Sequence, residues 1–130
     1  MTEKTKKWTL GTVPESFWEP IDRAEGDREK FREIAMAMPA EELIELHAQY
    51  MAMAEELFTP RHLDHLGPNV SEDALMDIAN WVVMQGGDCY FDIYDHPEKT
   101  PTRDMISGPS FASIMVEVYG DRFGEWIPWD

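Results

Sequence analysis

The stretch from Ser71 to Pro97, SEDALMDIANWVVMQGGDCYFDIYDHP, constrains this chain most. Ser71 stands where a helix N-cap is needed, and Glu72 and Asp73 follow in the first turn, where the helix dipole favours negative charge. Leu75, Ile78, Ala79, Val82 and Val83 recur at helical spacing, and Trp81 widens that surface. So broad an apolar face predicts a helix buried on more than one side. Gly86 can take the left-handed backbone past the helix end. Cys89 to Asp95 then reads as a short aromatic helix that Pro97 stops.

The same reading extends in both directions. Ser16 and Glu19 have the spacing of a capping box ahead of Phe17, Trp18 and Ile21, with Pro20 in the first turn, where a missing N–H costs least. Gly26 ends that element and Asp27 can cap the next, on which Phe31, Ile34, Ala35 and Met38 share a face. Pro39 is placed as the first residue of a longer helix, with Leu43, Leu46, Tyr50, Met53, Ala54 and Leu57 as its apolar stripe. Thr59-Pro60 opens a short helix through Leu66, closed by Gly67-Pro68. Pro109 to Phe123 carries Phe111, Ile114, Met115, Val118 and Tyr119 at helical spacing. Its run IMVEVY has strand-forming residues, but no second strand exists for it to pair with, so a helix is expected. The closing FGEWIPWD is expected to lie back on the body. The predicted fold is an all-α, compact single-domain bundle of about six or seven short helices joined by short connections. Residues 1–14 are expected to be a flexible arm carrying Lys4, Lys6 and Lys7, with 15–130 as the helical domain. Trp18 and Trp81 are the expected centre of its core.

A chain of 130 residues, 43% of them hydrophobic, is long enough to bury one continuous core without staples. Against 11 Lys and Arg stand 26 Asp and Glu, a formal charge of −15. That charge repels nucleic acid and anionic membrane surfaces and attracts a basic protein or cationic peptide; its plainer reading is a solubilising helical surface. Cys89 is alone, so no internal disulfide forms and a reducing compartment fits. With no signal-like run at the amino terminus and no apolar segment long enough to span a membrane, the expected location is a bacterial cytoplasm.

Three pieces in order resemble a known family: Phe17-Trp18-x-x-Ile21-x-x-Ala24, Ser71-x-Asp73 leading to Trp81-Val82-Val83-x-Gln85-Gly86, and Asp95-x-Pro97 after Phe91. They are similar to the opening helix, the Ser-Asp turn with its Gln-Gly helix end, and the Asp-Pro step of the bacterial domain of unknown function 4240 family. Val116 to Tyr119 is similar to a later helix of that family. The chain departs from it in TPRHLDHLGPNV, where the family has an aromatic Leu-Trp pair, and in Gly87, where the family carries a basic residue. The family has no established catalytic residues, so the resemblance implies a fold and no activity.

Few constellations point to chemistry. His62 and His65 sit three apart around Asp64, a spacing that lets two imidazoles face one metal, with His47, Asp64, Cys89 or His96 as a third ligand; the alternative is surface histidines. No spacing selects a third ligand, and no metal or other cofactor is assigned. Cys89 and His96 are two turns apart, and Asp88, Asp92 and Asp95 around the thiol raise its pKa, which favours a structural cysteine. Trp81 with Gln85, and Tyr90 with Tyr94, share helical faces. Together with Trp18 and His47 they are the candidate ligand-binding residues, a polar anchor in an aromatic pocket; the alternative is that they are core and that Gln85 ties down the Gly86-Gly87 turn. The Glu41, Glu42, Glu45 and Glu55, Glu56 runs read as solvated faces. No nucleotide, zinc-protease or serine-hydrolase motif is present.

Two functions fit. One is a non-enzymatic interaction, regulatory or immunity-type protein that covers a basic protein or peptide. The other is a small cofactor-free tailoring enzyme acting on a cationic ribosomal peptide, as in lanthipeptide pathways, from one desolvated acid or base. A homodimer is also allowed.

Overall fold

In the computed structural model, which describes residues 8–128, the main chain forms seven α-helices and three short 3-10 turns, and no strand occurs among the described residues. The helices are α1 (Trp18–Ala24), α2 (Arg28–Met36), α3 (Ala40–Leu57), α4 (Pro60–Leu66), α5 (Glu72–Met84), α6 (Gly87–Asp95) and α7 (Phe111–Phe123). The all-α expectation holds, and IMVEVY lies within α7. No described helix is long and apolar enough to cross a membrane.

Most boundaries are made by local chemistry. The Asp27 carboxylate accepts from the Glu29 and Lys30 amides at 2.9 and 3.1 Å. The Ser71 and Ser110 hydroxyls accept from the amides three residues on, starting α5 and α7. The Ser16–Glu19 capping box does not form: the chain enters α1 through the 3-10 turn Glu15–Phe17, which puts Ser16 inside that turn and makes Phe17, with no side-chain cap, the N-cap. That earlier turn buries the Phe17 ring. Pro39 is the N-cap of α3 rather than its first residue, and its carbonyl takes the Leu43 amide.

Helix α3 is the axis. It packs against α5 and α7, α2 lies along α7, and α1 bridges α2 and α6. Two fully buried tyrosines fix that axis. Tyr50 of α3 donates its hydroxyl to the Asn80 carbonyl of α5 at 2.5 Å, and Tyr90 of α6 donates to the Met53 carbonyl of α3 at 2.7 Å. Burial raises both phenol pKa values, so both stay protonated donors. The α2–α7 contact is centred on Phe31 and Phe111, whose rings stack 4.1 Å apart and within 2° of parallel.

Two arginines lock α2 at its ends. Arg28 donates to the Ser107 and Pro109 carbonyls, both at 2.6 Å, with its guanidinium flat against Gly108. Arg122 donates to the Ala35 and Met38 carbonyls at 3.0 and 2.6 Å, filling acceptors that the end of α2 leaves open.

The expected indole-centred core is corrected. Trp18 and Trp81 are only partly buried, while Tyr50, Tyr90, Phe31 and Phe111 are the large rings at the centre. A phenol needs one acceptor and a phenyl none, so these rings enter the interior more easily than an indole of greater volume. Of the expected arm, residues 1–7, with the three lysines, lie outside the described residues; Thr9 to Thr12 forms a hydrogen-bonded turn, and Leu10 and Val13 pack on the core. At the other end Ile127 is buried whereas Trp126 is 83% exposed, so the tail returns through its isoleucine.

Phe111→Ala is expected to lower the unfolding free energy by about 3–5 kcal/mol, and Trp81→Ala by clearly less. Urea denaturation of the two variants checks this ranking, and equal losses would contradict it.

Candidate functional site

The Gly86-Gly87 break does two separate jobs. Gly86 has φ +106°, a backbone only glycine adopts without strain, and a Cβ there would sit 2.7 Å from Asp22 Oδ1. Gly87 begins α6 beneath the Trp18 ring, where a Cβ would lie 3.2 Å from the indole. The Asp22 carboxylate accepts from the Gly87 amide at 3.0 Å, capping α6 across 65 residues of sequence. Asp22, which sequence reasoning passed over, therefore ties this turn to α1. Gln85 turns back on its own helix, its Nε2 donating to the Trp81 carbonyl at 3.3 Å.

The six expected ligand-binding residues do not form one pocket. Trp18, Tyr90 and Tyr94 come together in a ring cluster with Phe91, with Trp18 centred 5.4 Å from Tyr90 and Tyr90 stacked 6.3 Å from Tyr94. Trp81 lines a separate hollow of about 250 Å³, together with Arg28, Asp77 and Arg103. There Arg103 pairs with Asp77 at 3.1 Å while Arg28 holds the loop carbonyls. Gln85 lies at the end of α5 beside Gly26, and His47 is 2% exposed inside α3.

The expected histidine pair is also split. His62 is 1% exposed, with Nε2 donating to the Ile93 carbonyl at 3.0 Å and Nδ1 2.7 Å from the Thr59 hydroxyl, so neither ring nitrogen is available to a metal. It is a core histidine joining α4 to α6, whereas His65 is exposed. Among the described residues no three His, Cys, Asp or Glu converge to hold a metal ion. Cys89 is half-buried; burial first, and the Asp92 charge second, push its thiol pKa up, the opposite of an activated nucleophile. His96 pairs with Asp92 rather than with the thiol.

The larger hollow lies elsewhere, in a place the sequence did not mark. A groove of about 450 Å³ runs between the start of α1, the α2–α3 turn and the first half of α3. Its apolar lining comes from Phe17, Pro20, Ile34, Met38, Pro39 and Leu46. Its ionisable lining is three carboxylates, Glu19, Glu42 and Glu45, against one guanidinium, Arg23. Arg23 lies 3.7 Å from Glu19, both well exposed, so their attraction is weak. Glu42 and Glu45 make no ion pair among the described residues. On α3 the residues 42, 45, 46 and 49 follow the i, i+3, i+4, i+7 pattern, which brings two carboxylates, a leucine and the Gln49 amide onto one strip of helix.

Gly86→Ala is expected to destabilise by at least about 1–3 kcal/mol from backbone strain, read from urea unfolding. His47 gives a pH prediction. Burial lowers its pKa from 6.5 to about 4, so between those values the unfolded chain binds a proton that the folded one refuses. The neutral ring's contribution is complete above 6.5 and is lost as pH falls towards 4. At about pH 5 the loss is on the order of 2 kcal/mol, and His47→Gln should flatten this part of the stability profile.

The chain matches no family model, no curated protein and no solved structure.

Proposed function

We propose that this protein is a small acidic interaction protein of regulatory or immunity type, and that it receives a basic segment of a partner protein or peptide in the groove between α1 and α3. The observation that carries this reading is the groove's composition: an apolar lining with a carboxylate rim, two of whose members, Glu42 and Glu45, are unpaired. Lysine and arginine side chains match such a site, because the apolar stem lies along the lining while the cation reaches the rim. The −15 charge of the whole chain adds long-range attraction and speeds encounter.

A tailoring enzyme would draw on a desolvated acid or base beside a cleft. Every described Asp and Glu is exposed except the half-buried Glu56, and none of the candidate side chains gathers around a common reacting point. Binding is therefore the reading favoured here. The resemblance to the 4240 family adds an expected fold and no activity to it.

The test is a titration of a short, unstructured Lys- and Leu-containing peptide, followed by calorimetry or fluorescence. Binding should weaken steadily as salt rises to about 0.5 M. Glu42→Lys with Glu45→Lys should weaken it by about tenfold or more while the melting temperature stays near wild type. Salt-independent binding, or binding indifferent to this charge reversal, would refute the reading.

A further inference from the structure

Gln49 is the one buried polar side chain in the groove lining: it is 5% exposed, and its amide makes no hydrogen bond among the described residues. The rest of the buried polar set behaves differently. The Thr100 hydroxyl donates to the Pro97 carbonyl, and both ring nitrogens of His62 are engaged. A buried amide without partners is unfavourable, and native proteins keep few of them. Gln49 sits between Leu46 and the carboxylates Glu42 and Glu45, on the strip of α3 that faces the groove.

We infer that Gln49 recognises the main chain of the bound segment, and that the segment is extended rather than helical. This rests on the reading of the groove as the basic-partner site and specifies what that site takes. A carboxamide carries both an acceptor oxygen and donor N–H groups, the complement of a peptide unit. An extended peptide offers its own N–H and C=O outward, whereas a helix has already paired them internally except at its ends. The division of labour follows: Glu42 and Glu45 select positive side chains, the apolar lining takes their stems and neighbours, and Gln49 fixes the register of the backbone whatever the sequence. Free lysine or a polyamine brings charge but no peptide unit, so it binds without the Gln49 contribution.

The experiment is a double-mutant cycle between protein and probe. The protein is the full chain, wild type and Gln49→Met, a change that keeps side-chain length and removes both polar atoms. The probe is a short Lys, Leu and Gly peptide, too short to hold a helix in water, with and without N-methylation of its central amides. Gln49→Met should melt at or above the wild-type temperature, because it removes an unpaired buried amide. It should bind the unmethylated peptide about tenfold more weakly, and methylation should weaken wild-type binding by a similar factor but leave Gln49→Met binding nearly unchanged. If affinities respond to Glu42→Lys and Glu45→Lys while the Gln49→Met and methylation effects are absent or simply additive, the main-chain role is wrong and the groove reading stands. If wild type does not bind the unmethylated peptide, both fall. Methylation of the peptide tests wild-type protein alone, so the outcome does not hang on a variant's folding.

Discussion

The geometry of this bundle follows from how α3 is held. Two phenol hydroxyls, each buried and each aimed at a helix carbonyl, set its distance from α5 and from α6. Such a bond specifies more than apolar packing does, because a displaced tyrosine would leave a buried donor without an acceptor. With α3 fixed, α7 packs beside it and α2 is drawn against α7 by the stacked Phe31 and Phe111 rings. The α2–α3 turn is thereby placed opposite the start of α1, and the groove is the space left between them.

The charge of the chain takes on direction from that geometry. The larger groove has more carboxylates than cations, while the smaller hollow beside Trp81 has two arginines against one aspartate. A net charge describes long-range attraction, but the contact is decided by these local imbalances, which the total of −15 does not show.

How much of this was readable in the sequence depends on the range of the contact. The N-caps Asp27 and Ser71, the glycine breaks and the apolar stripes of α3 and α5 act within a turn or two of themselves, and they were legible. The Ser16–Glu19 pattern misled, because a preceding 3-10 turn captured Ser16. Contacts between distant positions were hidden. Nothing local marks Asp22 as the cap of a helix 65 residues away, or His62 as the residue that reaches the Ile93 carbonyl. Periodicity counts Trp18 and Trp81 as apolar but does not say which rings the interior has room for. The groove was equally hidden: Glu42 and Glu45 read as a solvated acidic face, and only the approach of α1 makes them the wall of a cleft containing Gln49.

The guanidinium contacts of α2 have a consequence for conditions in which the acidic surface is neutralised. Arg28 and Arg122 anchor this helix through amide oxygens, which keep their lone pairs whatever the proton activity. Mild acid would discharge the pairs that Lys30, Lys99 and Arg103 make with carboxylates, yet leave these two fasteners in place. The joint between α2 and α7 is thus built from chemistry that acidification does not titrate, and it should be among the last parts of the body to loosen.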